Sequence, residues 1–307
     1  MGYSCLLGPS LKECQVLQRQ DRLGILYLAA GALVYGAIRG HPSTARVIGR
    51  GVLDGRYERR LIYLENASDV IFDGVTMRNG RSWHNTLVNC RDVTYRNVKV
   101  ISFGNSGDGI NPVGSKDVNI ESCFLRCTDD CIAIKASNEK HDVDNIRVTE
   151  NTMIGFAFSD GMTIGFETNA AKIQNVFVKN CDILIARGGS RVDGHSAFSI
   201  ICDGPSWITD IHYENIRIEE RVLKLFELQI TDGTKYGIDP PGHIRGVTLK
   251  DITWAAEKPI ILKGFDAQHI VEDVTFENCT VAGEALKNVQ DPPFVMNEYV
   301  KNIVFKN

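Results

Sequence analysis

A ten-residue pattern recurs along most of the 307-residue chain, at intervals of 23 to 36 residues. Each copy begins with two mostly polar residues, of which the second is often Asn or Asp. The next eight positions are apolar, variable, apolar, two mostly polar, apolar, variable and apolar. Clear copies start at Ser68 (SDVIFDGVTM), Arg91, Lys116, Asp144, Gln174, Thr209, Arg245 and Glu272, with a truncated copy at Lys301 and a first one at Ala45, whose first apolar residue is Val47. Repeats of 20–50 residues are typical of solenoids and propellers.

The alternation of apolar and polar residues has a period of two, which predicts strands rather than helices. The shortest interval, 23 residues, is too short for a propeller blade of about 40–45 residues. It suits one coil of a parallel β-helix with three short strands. A leucine-rich horseshoe is the alternative, but the leucines that it needs are absent. The sequence predicts an all-β solenoid of about ten coils over residues 23–307, with residues 1–22 as an N-terminal cap or leader remnant.

Some repeat positions test this arrangement because they carry unusual residues. Cys123, Cys181 and Cys279 take the inward slot that Val75 and Val98 take in other copies, so we expect them to be small core side chains. Asn151 falls in the same slot, and a buried asparagine must be hydrogen-bonded.

Composition limits the partners. The net charge is −4, and without a basic excess we expect no nucleic-acid partner. The apolar segment Leu23–Ile38 is shorter than the ~20 residues of a membrane span, and we read it as core strands. We therefore predict no membrane partner, and we see no export signal.

No histidine cluster completes a zinc site around Cys127 and Cys131. We predict no metal and no cofactor, and the oligomeric state stays open.

Three consecutive coils carry an aspartate at the same place, namely Asp108, Asp130 and Asp160. In register they stack about 4.8 Å apart, and Asp129 lies beside them. Crowded carboxylates cannot all ionise easily, so one should keep its proton above the usual pKa of about 3.9. Such a pair of carboxyl groups can perform glycoside hydrolysis. Turn geometry and calcium binding are the alternatives that the spacing leaves open.

At these residues the chain resembles the polygalacturonase family and its clan relatives, the dextranases and isopullulanases. NSGDGIN from Asn105 is similar to the family motif Asn-Thr-Asp-Gly-Ile-Asp, and TDDCIAIK from Thr128 is similar to Gly-Asp-Asp-Cys-Ile-Ala-Ile-Lys. The resemblance implies a right-handed parallel β-helix, hydrolysis with inversion, and an extracellular or periplasmic location. It implies Asp129 as general acid, with Asp108 and Asp130 holding and deprotonating the water.

Two departures concern the substrate. The family's Gly-His-Gly motif aligns with Ser159–Gly161, where Asp160 replaces the histidine, and its Arg-Ile-Lys motif falls near Ser199–Ile201. Without these cations a polyuronate carboxylate has no partner there, unless Arg191 or Arg187 substitutes. We therefore predict a neutral, dextran-like polysaccharide or oligosaccharide, with pectic galacturonan as the alternative.

Further substrate-binding candidates surround the aspartates. They are Asp160 itself, Lys135 at the end of the matched motif, Trp83 and His84 before Asp108, and His195 in a glycine-rich loop, together with Arg191. Each of them has a structural alternative, such as a surface lysine or a core histidine. Two other functions remain: a non-catalytic carbohydrate-binding β-helix, and a lyase or epimerase that would depend on calcium or on an Arg/Lys base.

Overall fold

The computed structural model describes residues 4–7, 24–56, 58–187, 195–232, 234–290 and 294–306. The regular secondary structure in these ranges consists entirely of β-strands, of which there are thirty. The first ten strands are β1 (Ser4–Leu7), β2 (Gly24–Leu28), β3 (Leu33–Tyr35), β4 (Ile38–Gly40), β5 (Ala45–Gly49), β6 (Val52–Asp54), β7 (Ile62–Glu65), β8 (Ser68–Asp73), β9 (Thr76–Arg78) and β10 (Asn85–Val88). The next ten are β11 (Arg91–Arg96), β12 (Lys99–Ile101), β13 (Ile110–Val113), β14 (Lys116–Glu121), β15 (Phe124–Cys127), β16 (Ile132–Ala136), β17 (Val143–Thr149), β18 (Thr152–Gly155), β19 (Met162–Thr168) and β20 (Lys172–Ala186). The last ten are β21 (Ser196–Cys202), β22 (Trp207–Val222), β23 (Lys224–Ile230), β24 (His243–Trp254), β25 (Ile260–Lys263), β26 (Val271–Glu277), β27 (Thr280–Val281), β28 (Glu284–Ala285), β29 (Phe294–Met296) and β30 (Val300–Lys306).

The strands form a parallel β-helix, which confirms the predicted architecture. One sheet has ten strands, one from each coil, in the order β4, β7, β10, β13, β16, β19, β21, β23, β25, β29. The other twenty strands form the second hydrogen-bonded set, in which β27 and β28 pair antiparallel and the other pairs are parallel. In the later coils two strands merge into one, as in β20 and β22, which have 15 and 16 residues.

The polar residue near the start of each repeat has a conformational role. Asp69, Asp92 and Asp117 have φ angles of 54°, 52° and 54°, which is the left-handed region that Asn and Asp tolerate best among residues with a side chain. The later coils continue the row with Asn145, Asn175, Asp210, Gly246, Asp273 and Asn302. The row is also linked between coils, since Asn145 Nδ2 donates to Asp117 Oδ1 at 2.7 Å. The left-handed conformation of these residues produces a sharp bend of the backbone at the start of each long strand.

The core is a set of stacked rows inside the coils. Val70, Val93 and Val118 pair in register and are fully buried. In the first copy Ala45 pairs with Val70, while Val47 pairs with Phe72. The expectation that Val47 starts the row is therefore wrong by two residues. A shift of two keeps every side chain on its face, so the alternation of apolar residues could not reveal it.

The unusual core residues behave as predicted. Cys123, Cys181 and Cys279 are buried free thiols. Asn151 is 1% exposed, its Oδ1 accepts from the Cys123 amide at 2.8 Å, and its Nδ2 donates to the Ile120 carbonyl at 2.9 Å.

The N-terminal cap stays a prediction. Of residues 1–22 the structure describes only β1, which pairs in parallel with β2. Among the described residues there is no helix with the length and apolarity that crossing a bilayer requires.

Candidate active site

One column of side chains precedes the ten-stranded sheet. Asp108, Asp130 and Asp160 each lie two residues before Ile110, Ile132 and Met162, which pair in register on neighbouring coils. The predicted stacking of the three aspartates is therefore confirmed. Residues two positions before the paired residues of the preceding and following coils extend this column in both directions. The order along the column is Arg60, Trp83, Asp108, Asp130, Asp160, Ser196, Lys224.

A cavity of about 580 Å³ lies over this column. Its lining combines five carboxylates with basic side chains, aromatic rings and small polar groups. These residues are Asp108, Asp129, Asp130, Asp160 and Glu167; Arg59, Arg60, Lys135 and His195; Trp83, Phe158, Phe166 and Tyr236; and Ser82, Asn105 and Ser106. Such a concentration of carboxylates in one cavity is typical of acid–base chemistry.

The catalytic candidates are held by backbone amides. Asp129 Oδ1 accepts from the Asp130 amide at 3.1 Å, and Asp130 Oδ1 accepts from the Asp160 amide at 2.8 Å. Asp108 is 2% exposed, whereas Asp129 and Asp130 are half-buried. The structure thus brings the three predicted catalytic aspartates together, with Asp129 and Asp130 the more accessible to a bound glycan.

Burial and mutual repulsion raise the pKa of all three carboxyl groups. For Asp108 the main cause is burial, followed by the charge of Asp129. For Asp130 burial again comes first, followed by the charges of Asp129, Asp160 and Asp108. Burial also raises the pKa of Asp129, although the Asp130 amide, Lys135 and His195 act against it. Interacting carboxyl groups titrate as a set, so the raised pKa belongs to the cluster, and its direction is the one that the crowding predicts.

Asp160 is held on both oxygens. Its Oδ1 accepts from the Ser196 amide at 2.6 Å, and its Oδ2 accepts from the Ser199 hydroxyl at 2.6 Å. His195 Nδ1 lies 3.5 Å from Asp160 Oδ1, and His195 is 7% exposed. Ser199, where the resembling family carries a cation, therefore serves as a hydrogen-bond donor to Asp160.

Lys135 lies inside the site and is 5% exposed, so its alternative as a surface lysine is wrong. Its Nζ lies 2.7 Å from Glu167 Oε2. Burial opposes the charge of Lys135, but Glu167, Asp108 and Asp130 outweigh burial and raise its pKa. Lys135 in turn lowers the pKa values of Asp108 and Asp130.

A local insertion in β19 delivers Glu167 to this lysine. Ile134 pairs with Ile164, but Ala136 pairs with Thr168, so β19 has two additional residues at this point. The bulge begins at Gly165, whose φ is +101° and where a Cβ would lie 2.1 Å from the Ile201 carbonyl oxygen. Only glycine fits such a position.

The comparisons with known proteins agree with this geometry. The sequence model of Glycosyl hydrolases family 28 matches residues 44–298. The chain belongs to this family. An endo-polygalacturonase of Pectobacterium carotovorum subsp. carotovorum is 26% identical over 75% of this chain and 55% of its own length. An exopolygalacturonase of Zea mays is 25% identical over 61% of this chain and 44% of its own length.

A solved structure extends the likeness of this family 28 chain to nearly its full length. The exopolygalacturonase of Thermotoga maritima superposes with a TM-score of 0.67 at 16% identity, covering 99% of this chain and 78% of that one. At such identity the superposition shows the fold. The family 28 chain spans about half the length of the curated relatives that it matches.

The other predicted binding residues of the family 28 chain have different environments. Trp83 lines the cavity, with Lys135 Nζ 5.0 Å from the centre of its ring. His84 does not line it, because its side chain is fully buried on the other side of the backbone, where its Nε2 accepts from the Gly80 amide at 2.9 Å. Burial lowers the pKa of His84 to about 4, which indicates a neutral core histidine. The predicted contact of Arg191 lies outside the described residues.

Sequence reasoning missed several residues of the site. Arg60 had a detectable signal, because it lies two residues before Ile62 just as Asp108 lies two before Ile110. Glu167 had none, since the bulge that carries it interrupts the repeat. Two aromatic residues also line the cavity: Phe166 in the same bulge, and Phe158 in the connection between β18 and β19.

Among the described residues, one group of side chains could hold a metal ion. Asp130, Asp160 and His195 each bring a ligand atom within 4.8 Å of the others. Calcium takes six to eight oxygen ligands, whereas this group includes an imidazole and Asp160 oxygens that already accept hydrogen bonds from Ser196 and Ser199. The donor set is a poor match to calcium.

We therefore expect activity to be independent of divalent cations. Treatment with excess EDTA followed by desalting should leave the release of reducing ends from the glycan substrate unchanged, because two carboxyl groups suffice for hydrolysis. The initial rate before and after treatment is the measurement. A loss that added calcium restores would contradict this prediction and favour a calcium-dependent lyase.

Proposed function

We propose that this chain hydrolyses the glycosidic bonds of a pectic galacturonan with inversion, using Asp129 as general acid and Asp108 with Asp130 as general base. The observation that carries the proposal is the carboxyl cluster with raised pKa values on the floor of a cavity large enough for sugar units. Family 28 membership supports the reaction class, and the match of Asp129 to the family motif supports its role.

The reaction needs two proton transfers. Protonated Asp129 donates its proton to the glycosidic oxygen as the bond from that oxygen to the anomeric carbon breaks. A water molecule held between Asp108 and Asp130 attacks the anomeric carbon from the opposite side and loses a proton to one of these carboxylates. The leaving sugar thus gains the proton of Asp129, and the new hydroxyl group has the inverted configuration.

Lys135 supports the base. Its ammonium lowers the pKa values of Asp108 and Asp130, which favours the ionised carboxylates that accept a proton. Burial in the same pocket raises these pKa values, so the base is poised closer to neutrality than a free aspartate. Because Lys135 also lowers the pKa of Asp129, it keeps the whole cluster more ionised than burial alone would.

The substrate that we propose is the pectic alternative rather than the neutral glycan. The preference for a neutral glycan depended on missing cations near Ser199–Ile201. Arg59 and Arg60 line the other end of the cavity, where they offer partners to carboxylates. The relatives in the comparison carry polygalacturonase names. A polymer substrate also favours the extracellular or periplasmic location.

Release of reducing ends from polygalacturonate, dextran and pullulan tests the proposal. We expect release from polygalacturonate alone, and proton NMR of the first product formed should show the anomer opposite to that of the substrate bond. Release from dextran or pullulan instead would overturn the pectic assignment. Binding of polygalacturonate with no release at any pH would favour the non-catalytic binding module.

A further inference from the structure

We propose that Arg59 and Arg60 form a binding subsite for a sugar carboxylate that lies some units away from the cleaved bond. This inference rests on the proposed function, because it assigns one uronate unit of that substrate to a particular part of the cavity. It predicts how affinity depends on the length of the substrate and on where its charge lies.

The position of Arg60 follows from the coil register. Arg60 occupies the same column as Asp108 and Asp130, two coils before Asp108 and three before Asp130. At a strand spacing of ~4.8 Å, three coils separate Arg60 from Asp130 by about 14 Å along the axis. One coil is comparable in length to one pyranose unit, so the carboxylate at Arg60 belongs to a unit two or three positions from the reacting one.

The guanidinium groups of these arginines have no carboxylate partner within the described residues. Neither Arg59, Arg60 nor Arg81 has an ion pair there, and the buried Nε of Arg60 has no hydrogen-bond partner. Glu58, the nearest acid in sequence, pairs instead with Arg39 at 3.0 Å. A buried donor without a partner is costly, and a planar carboxylate is the ligand that a guanidinium binds best.

The neighbouring residues fix Arg60 in the cavity. Its guanidinium carbon lies 5.2 Å from the centre of the Trp83 ring and 5.1 Å from that of Tyr63. Both distances are within the range of a cation–π contact. Arg39 holds the backbone, because its guanidinium donates to the carbonyl oxygens of Arg59 and Arg60. Arg60 is thus oriented before any ligand binds, which reduces the entropy that binding costs.

The groove continues past this point. A second cavity of about 470 Å³ shares Arg59, Ser82, Asn105 and Ser106 with the first and adds Arg81. The basic residues therefore lie along the path that leads away from the carboxyl cluster, with small polar groups between them. This arrangement suits a polyanionic chain, because the positive groups are separated from the acids that repel its carboxylates.

The test uses Arg60→Gln and oligogalacturonates of two to seven units. We expect KM for the longest oligomers to rise about tenfold or more, as loss of a charged hydrogen bond does, with kcat unchanged. The dimer cannot reach the subsite, so its kcat/KM should stay the same. Arg59→Gln, at an exposed position, should act in the same direction and serves if Arg60→Gln does not fold.

The matched control is Arg147→Gln. Arg147 also lies over an aromatic ring, with its guanidinium carbon 4.9 Å from the centre of Phe177, but it is exposed on β17 in the other sheet. We expect this variant to match the wild type on every oligomer. Its thermal unfolding, compared with that of Arg60→Gln, separates a loss of subsite binding from a general loss of stability.

A binding experiment separates failure of the inference from failure of the proposed function. Heptagalacturonate is titrated by calorimetry into Asp129→Asn and into Asp129→Asn with Arg60→Gln. Weaker binding by the double variant supports the subsite whether or not the wild type hydrolyses galacturonan. Equal binding by the two variants, or an equal loss of kcat/KM on all lengths, would overturn the inference. Absence of hydrolysis by the wild type would refute only the proposed function.

Discussion

Replacing Asp129 by Asn is expected to lower kcat on polygalacturonate by about 10²–10⁴-fold, the usual contribution of a positioned general acid. The amide cannot donate a proton to the leaving oxygen. It keeps the size of the side chain, and its oxygen can still accept from the Asp130 amide, as the carboxylate does at 3.1 Å. Steady-state rates of reducing-end release across a pH series measure the effect, while calorimetric affinity for an oligogalacturonate should change little.

The control for this variant is Asp92→Asn. Asp92 is an exposed aspartate with a φ of 52° at the start of a strand in the other sheet, and Asn tolerates the same conformation. We expect its kcat to equal that of the wild type. If Asp129→Asn retained more than about a tenth of the wild-type kcat, the assignment of the acid to Asp129 would be wrong.

Replacing Lys135 by Met should affect both stability and the pH profile. Removal of the ammonium leaves Glu167 without its partner at 2.7 Å, and breaking a buried ion pair in this way costs about 3–5 kcal/mol of unfolding free energy. Because pairing raises the pKa of Lys135, the wild-type contribution is fully present at neutral pH and is lost only as pH rises through that raised value. Urea unfolding at neutral pH measures the loss.

The same variant should move the acidic limb of the kcat/KM profile to higher pH. Lys135 lowers the pKa values of Asp108 and Asp130, so its loss raises them and the base protonates at a higher pH. Activity at low pH therefore falls, and the alkaline limb should also move to higher pH, because Lys135 lowers the pKa of Asp129 as well. A limb that stays in place would contradict the proposed support of the base by Lys135.

The double variant Lys135→Met, Glu167→Gln separates the two effects. With no uncompensated carboxylate, most of the lost unfolding free energy should return. The acidic limb should move only partway back, because Glu167 itself raises the pKa of Asp108. If the double variant were as unstable as the single one, the lysine would act through packing rather than through its charge.

Periodicity explains why so much of the fold could be predicted. Each repeat copies the same inward and outward positions, so one correct alignment places Cys123, Asn151 and the aspartate column at once. The error at Val47 had the same origin, since a shift of two residues leaves the alternation intact. The rest depends on irregular segments. Glu167 lies within a bulge that interrupts the repeat. The burial of His84, by contrast, follows the register, since His84 occupies the inward slot that Leu61 and Cys131 fill on other coils.

The column from Arg60 to Asp160 places one side chain from each of five successive coils in the groove. Exchange of one such residue changes the chemistry at one position along the bound chain and leaves the neighbouring coils in place, since each coil contacts mainly the next. Preference for a given glycan is therefore encoded as a linear series of single residues. Proteins with this architecture can therefore change which polymer they bind by single substitutions in the column, without remodelling of loops or domains.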